Sequence, residues 1–307
     1  MASLWSYWKT IETISPRTIE DDALKDFRIA LIGDPAHRAA VRDALLTDQA
    51  TAWEQEDAAN YLREYDQSPA AEIASAFLFR IYTAAPGEPL GVRGPNSVPI
   101  TGSLPEVIEA MLDAKPDMAI ALARRLPAFR LPACHRIIRD VSRVNASIAI
   151  LSALPGVFPP AAPFLPASSV ADVFLLGKNQ VVLVMRLAAA FGQKPGVKQM
   201  KEVVGVVGSA MGWRTLAREL VGFVPLGVGM AIKGAIAYAG TVAVGRAALW
   251  FYRTGKHLSK KEIQAAYAEG EAEAREEVDK LIQKGENGTV GAVETLEKAS
   301  ETTEERN

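Results

Sequence analysis

Cysteine is almost absent from this chain: Cys134 stands alone among 307 residues, beside only three histidines. A single thiol closes no intramolecular disulfide, so the fold must be held by packing, and a reducing, intracellular compartment is expected. His37, His135 and His257 lie far apart, and only Cys134 and His135 are adjacent, so no spacing typical of a metal site is present. A Cys/His nucleophilic pair would need partners from distant parts of the chain. The N-terminus MASLWSYWKTIETIS has neither a basic first region nor a long apolar core, so no signal peptide is expected. Instead, Leu4, Trp5, Trp8 and Ile11 place one aromatic-rich face on a short helix, suited to docking on the protein or lying at a membrane interface.

Charge is missing over one long stretch. Between Arg143 and Asp172 lie 28 residues without a single charge, which passes the length test for a membrane span. Composition argues against a simple one, because Pro155, Pro159, Pro160, Pro163 and Pro166 would break a regular helix repeatedly. A helix to Leu154, a Pro-rich hairpin or surface-dipping segment, and a new helix from about Ser168 are expected. That new helix embeds Lys178, Asn179 and Gln180 in an apolar background, where they must find partners or water.

A phosphate-binding lysine is also missing where one would sit. Phe27 to Ile32 reads as a β-strand stopped by Gly33-Asp34-Pro35, and Ala39 to Leu46 resumes at helical period with Val41, Ala44 and Leu45 on one side. In this strand-turn-helix unit the Walker pattern G-x-x-x-x-G-K-[ST] would put lysine and a hydroxyl where Ala39 and Ala40 stand, and Arg38 replaces the second glycine. Pro35 removes a loop N–H as well. The expectation is a retained fold without nucleotide hydrolysis, no cofactor, and a degenerate loop of Gly33, Asp34 and Arg38 in which Arg38 is a candidate for binding an anion.

The rest of this region completes a small α/β unit. Residues 48–75 read as acidic and helical, and Ala76 to Thr83 as a second strand. Pro86 to Ser103 reads as a loop for its proline and glycine. Leu104 to Asp113 reads as a helix with Ser103 as N-cap and Pro105 and Glu106 in its first turn.

The near-neutral total of −2 hides a blocked distribution. Residues 1–114 hold 9 basic and 18 acidic side chains, net −9; residues 115–255 hold 17 and 5, net +12; residues 256–307 hold 8 and 13, net −5. The basic block is also the most apolar. Interleaved basic and apolar residues attract an anionic membrane surface, at about 1 kcal/mol per Lys or Arg near the headgroups. The alternative is that the acidic flanks fold back and neutralise the block. Arg136, Arg139 and Arg143 share one helix face in this block, suited either to an anionic surface or to solvent.

Within the block, Ala231, Ala235, Ala239, Ala243 and Ala247 recur every fourth residue, so a helix over Leu226 to Tyr252 carries a stripe with almost no side chain. Such helices meet other helices closely, in a bilayer or in a buried core. The glycines Gly205, Gly208 and Gly212 mark an expected partner helix, the helix bearing Lys178 to Gln180 being the other candidate. Trp213, Arg214, Arg218, Lys233, Arg246 and Trp250 are the candidate membrane-interface residues, as aromatics and cations that sit at headgroup level.

The segment from about Ala171 to Gly255, with LLGKNQVVLVMRLAAAFG, EVVGVVGSAMGWRTLARELVGFVPLGVG and AIKGAIAYAGTVAVGRAALWFYRTG, resembles the YcjF-type family of bacterial domains that often follow Era-like GTPase domains. The resemblance implies membrane association without assigned chemistry. It also makes FRIALIGDPAHRAAV similar to the first strand and loop of a GTPase-type domain that has lost its Lys and Ser/Thr, and no N-K-x-D occurs.

The expected architecture is mainly α: a small N-terminal α/β unit, degenerate and P-loop-like, followed by an α-helical, small-residue-rich domain. Its parts are an N-terminal helix and acidic linker (1–24), the α/β unit (25–114), the basic apolar helical domain (115–255), a charged helix (256–284) and a disordered acidic tail (285–307). The expected function is a non-enzymatic, membrane-associated protein on the cytoplasmic side of the cell membrane, with anionic lipids as partners. The alternatives are a soluble helical interaction module or oligomer partnering a GTPase, and a nucleotide-binding protein with an altered loop. Nucleic acid is not expected as a partner, since the basic block lacks an aromatic stacking platform.

Overall fold

The computed structural model describes residues 16–48, 50–94, 99–151, 167–194 and 228–304. The N-terminal aromatic face, the Pro-rich stretch, the Gly205/Gly208/Gly212 helix and Trp213, Arg214 and Arg218 lie outside the described residues. The protein is mainly α, with a small mixed sheet in the N-terminal region followed by a helical C-terminal region. Two compact units form it: one drawn from Ser15–Ile137 and Val184–Gln199, the other from Met1–Ile14, Ile138–Leu183 and Met200–Asn307.

The first unit begins with α1 (Arg17–Leu24), β1 (Ile29–Ile32), α2 (Pro35–Leu46), α3 (Ala52–Tyr61) and β2 (Leu62–Tyr65). After the short α4 (Ala71–Ala74) come β3 (Phe79–Tyr82), β4 (Leu90–Arg93), β5 (Ile100–Gly102), α5 (Leu104–Ala114) and α6 (Ala119–Arg125). The strand order is β2-β1-β3-β4-β5. β1 pairs in parallel with both β2 and β3, Ile29 standing opposite Leu62 and Phe79, while β3–β4 and β4–β5 are antiparallel. All four residues of the interior strand β1 are buried, which is why it reads as a continuous apolar run. Leu31, Leu45, Phe79, Ile81, Met111, Leu112, Leu122 and Phe129 supply the largest fully buried side chains around it.

Helix starts follow their caps. Asp34 Oδ1 accepts from Ala36 N at the head of α2, with Pro35 in the first turn. Thr51/Glu54 and Ser103/Glu106 form reciprocal capping boxes on α3 and α5, each satisfying two otherwise orphaned N–H groups.

The segment expected to be a loop, Pro86 to Ser103, instead carries β4 and β5. Each strand is only three or four residues long, and its stability comes from pairing, β4 with β3 and β5 with β4, rather than from local propensity. β2 was likewise unexpected, because Arg63 and Glu64 on this edge strand face solvent and blunt its apolar signal.

The second unit is built from α7 (Arg130–Leu151), α8 (Ala167–Ala190), α9 (Val228–Thr254) and α10 (Lys260–Glu304). α7 contributes to it from Ile138 onward and α8 up to Leu183. α9 runs antiparallel to α7: a Cβ added at Gly234 would meet Ile150 Cγ1 at 2.8 Å, and one at Gly245 would meet Ile138 Cγ1 at 2.6 Å. It also runs antiparallel to α10, where Gly270 faces Ala239 and Val242, and Gly234 faces Val278. The stretch expected to be disordered beyond residue 284 continues as helix to Glu304, in keeping with its Ala, Glu, Leu and Lys content.

Candidate functional site

In an open sheet with this strand order, ligands bind beyond the carboxyl ends of β1 and β3, where connections leave in opposite directions. Here that crevice is closed. Gly33 has φ 138°, a conformation that disfavours side chains, and a Cβ on it would fall 2.5 Å from Thr83 Oγ1. The backbone N–H of Gly33 donates to Tyr65 O at 3.0 Å, and both Thr83 N and Thr83 Oγ1 donate to Ile32 O, at 2.8 and 3.0 Å. The Gly33 N–H is thus spent on the neighbouring strand, and the Ala36 and Arg38 N–H groups on Asp34.

Arg38 is buried and held by carboxylates. Its guanidinium donates to Glu64 Oε2 at 3.3 Å, to Asp66 Oδ1 at 2.6 Å and to the carbonyl of Gly33. Arg42 adds a bond to Glu64 Oε1 at 2.9 Å. With the Asp34 carboxylate on the Ala36 N–H, the loop presents negative charge where an anion would bind, and Arg38 acts as a tie between α2 and the end of β2. Beside it, a groove of about 910 Å³ runs along the open edge of β2, lined by Arg42, Leu46, Ala58, Leu62, Arg63 and Glu64.

Nucleophilic chemistry finds no footing at Cys134. The thiol is fully buried, and burial pushes its pKa up to about 12 although the Arg130 charge works against this; the thiolate that reacts is unpopulated at neutral pH. His135 is on the exposed side of the same helix. His257 stacks on Phe251 with ring centroids 4.8 Å apart. Among the described residues no group of three or more His, Cys, Asp or Glu is placed to hold a metal ion.

The charge blocks do meet. In the first unit Arg125 of the basic block pairs with Asp26 at 3.6 Å, Arg130 with Glu54, and Arg136 with Asp113. Arg125 also lies over the rings of Phe27 and Tyr61, 5.5 and 5.4 Å from their centroids. In the second unit Arg143 pairs with Glu277 at 2.6 Å, and Arg246 with Glu269 and, at 2.7 Å, with Glu273. Each of these carboxylates comes from an acidic flank. Arg143 donating to Glu277 holds that carboxyl below its ordinary range.

The alanine stripe is mostly interior. Ala239, Ala243 and Ala247 are buried, Ala231 and Ala235 half-buried. A close partner is α10, whose buried line Ile263, Ala266, Gly270, Ala274 and Val278 has small residues at its middle, where Gly270 meets Ala239. By sequence this charged helix suits either solvent or a partner; one side of it packs on α9 and the others face solvent. Asn179, from the polar triplet, donates to Asn145 Oδ1 at 2.8 Å, and Asn145 donates to Thr241 Oγ1 at 2.8 Å. The chain ends at Ala237 O, which accepts from Thr241 Oγ1 at 2.8 Å. Lys233 is half-buried, and Trp250 is 40% exposed. Ala231–Thr254 is long and apolar enough to cross a membrane, with 72% of its most apolar window buried inside the protein.

Comparison with protein-family models, with curated proteins and with solved structures found no match to this chain.

Proposed function

We propose that this protein is a non-enzymatic helical interaction module that stands in water, with α9 as a core helix. The observation that carries this reading is the ion pairing of Arg125, Arg130, Arg136, Arg143 and Arg246 with carboxylates from both acidic flanks. A guanidinium so matched offers little to lipid headgroups. The charged outer side of α10, with Glu269, Glu271, Glu273, Arg275, Glu276 and Lys280 exposed along α9, would be costly in hydrocarbon. The closed β1/β3 crevice supports a sheet kept for its surface rather than for catalysis, and the exposed Trp53 (63%), Leu24 (59%) and Ile73 (51%) provide apolar points for a partner, whether a GTPase or a second copy. Detergent-free fractionation with a carbonate wash tests this: recovery in the soluble fraction as a monodisperse species is expected, and retention in the washed membrane pellet would refute it.

A second reading, integral membrane association on the cytoplasmic side, draws on the length and mean hydropathy of 1.2 of Ala231–Thr254 and on the likeness of residues 171–255 to YcjF-type domains. The same fractionation separates it from the first. Nucleotide binding by an altered loop is the least supported, since Arg38 is already held by Glu64 and Asp66. Bound GTP or ATP at 100 times its Kd would add ~2.7 kcal/mol to stability; no shift in melting is expected.

A further inference from the structure

We propose that the sheet face opposite α2 is a docking surface for a carboxylate-rich segment of a protein partner, gripped by Arg28, Arg63, Arg80 and Arg93. This rests on the reading of the protein as an interaction module and names the chemistry of what it holds.

Strand alternation and register bring these arginines together. Ile29, Leu31, Leu62, Phe79, Ile81 and Val92 alternate to the side of the main core, where Glu64 meets Arg38 and Arg42 of α2. The residues between them point the other way. In one row across that second side, Arg63 stands opposite Ala30, Ala30 opposite Arg80, and Arg80 opposite Arg93. Arg28, exposed between the buried Phe27 and Ile29, continues the alternation just before β1. With neighbouring strands about 4.8 Å apart, Arg63 and Arg93 end a row about 14 Å long.

None of the four guanidinium groups is occupied. Among the described residues they make no ion pair and no hydrogen bond, although residues 1–114 hold twice as many acidic as basic side chains. Arg80 and Arg93 are moreover a directly opposed cross-strand pair of like charge, their Cβ atoms about 5 Å apart, an arrangement that costs stability. An anion laid across the two strands would offset that cost. The β2–β3 connection crosses the same side, pinned by Phe77 on Ala30 and Ile32 and by Ser68 Oγ donating to the Tyr82 hydroxyl at 3.1 Å. Its two acids leave the arginines unmatched: Asp66 is held by Arg38, and Glu72 is exposed and makes no ion pair among the described residues.

The distribution of charge selects a polypeptide over a nucleic acid. Guanidinium groups spread along a row match carboxylates spaced along a segment, whereas a single phosphate calls for donors converging on one point. A polyanionic strand longer than the row would run onto a region of net charge −9 and be repelled there. The aromatics of this side are not spare platforms for bases either. Tyr65 packs edge-on with Phe77, ring centroids 5.7 Å apart, and the Tyr82 hydroxyl is engaged by Ser68, where stacking needs an open ring face. Both tyrosines are half-buried, and with the exposed Ile73 of α4 they give the arginines apolar neighbours. Arginine and tyrosine are the residues on which protein interfaces concentrate their energy.

The test titrates the full chain at low ionic strength with fluorescein-labelled oligoglutamate, read by anisotropy, with oligothymidylate of equal length as the rival ligand. Arg80→Gln/Arg93→Gln removes two of the four cations, and Lys260→Gln/Lys261→Gln removes the same charge from the exposed start of α10. The first double variant is expected to bind oligoglutamate about tenfold more weakly than the second, the scale of two exposed ion pairs. Arg80→Lys/Arg93→Lys, which keeps the charge, is expected to recover most of the affinity. Because Arg80→Gln/Arg93→Gln removes a repulsive pair, its melting temperature is expected to hold or rise. Equal binding by the two glutamine variants, no binding by the unaltered chain, or tighter binding of oligothymidylate through the same arginines would overturn the proposal. So would a fall in melting temperature accompanying the lost affinity, which would assign the arginines to the fold. Fractionation with a carbonate wash judges the interaction-module reading without involving these arginines, so either can fail alone.

Discussion

Gly270 offers the sharpest test of the α9–α10 contact, because two well-known effects oppose each other there. Replacing glycine by alanine inside an exposed helix stabilises it by about 1 kcal/mol through lower chain entropy. At Gly270 the new Cβ would lie 3.0 Å from Val242 Cβ and 3.1 Å from Ala239 Cα. The second neighbour is backbone of a helix locked on its other side by α7 through Gly234 and Gly245, so it cannot rotate away as a flexible side chain would. Overpacking of this sort costs about 1–3 kcal/mol. The cost wins, and Gly270→Ala is expected to destabilise by about 1 kcal/mol net, lowering the melting temperature by about 2–4 °C for a unit of this size. Gly270→Leu should cost several-fold more. Ala268→Gly on the exposed side of the same helix isolates the propensity term, with a loss of about 1 kcal/mol. Urea unfolding followed by far-UV circular dichroism reads all three. If Gly270→Ala raised the midpoint by what propensity alone predicts, α10 would not lie against Ala239 and the packing argument would fail.

Glu54 and Glu106 occupy the same position in two capping boxes, yet Glu54 is 8% exposed and also pairs with Arg130. Glu54→Ala is expected to cost about 3–5 kcal/mol by stranding a buried guanidinium, Glu106→Ala much less, as urea midpoints would register. Asn145→Ala leaves Thr241 and Asn179 each short of a partner and should cost about 2–5 kcal/mol, measured in the same way. Cys134 should resist alkylation at pH 8 in the native state and react on unfolding, as mass spectrometry would follow. Because Arg143 holds Glu277 below its ordinary 4.5, the native state gains from this pair fully above that value and loses it as pH falls through the depressed one. Glu277→Gln should therefore flatten the acid limb of a stability–pH curve.

Legibility from sequence followed how local each signal is. β1, α2, β3 and α5 were readable because apolar runs, the Gly33-Asp34-Pro35 stop and the Ser103/Glu106 box act within a few residues. β4 and β5 were not, since Leu90–Arg93 and Ile100–Gly102 are strands only by virtue of pairing. The alanine stripe announced a close contact, but its partner was hidden: Ala266, Gly270 and Ala274 carry no hydrophobic signature in a helix dominated by glutamate and lysine, and smallness is the very property that makes the fit. The loop was legible as a departure from the Walker pattern at Arg38, Ala39 and Ala40. What Arg38 meets was not, because Glu64 and Asp66 come from β2 and the residue just after it, a strand without a clear pattern. Charge blocks were visible as sums, whereas which carboxylate meets which arginine is set by topology.

The division of the chain has a consequence for how the protein is made. Ser15–Ile137 is synthesised before Val184–Gln199, which belongs to the same unit, so almost fifty residues assigned to the other unit are made before this one can be completed. At about 5–20 residues per second that delay lasts seconds, long enough for an incomplete apolar surface to meet a chaperone. The same interleaving governs how the chain tolerates breakage. A cut between Ile137 and Ile138 splits α7 and separates the sheet from its late-arriving helical segment, so proteolysis there should yield two damaged halves in place of two working domains.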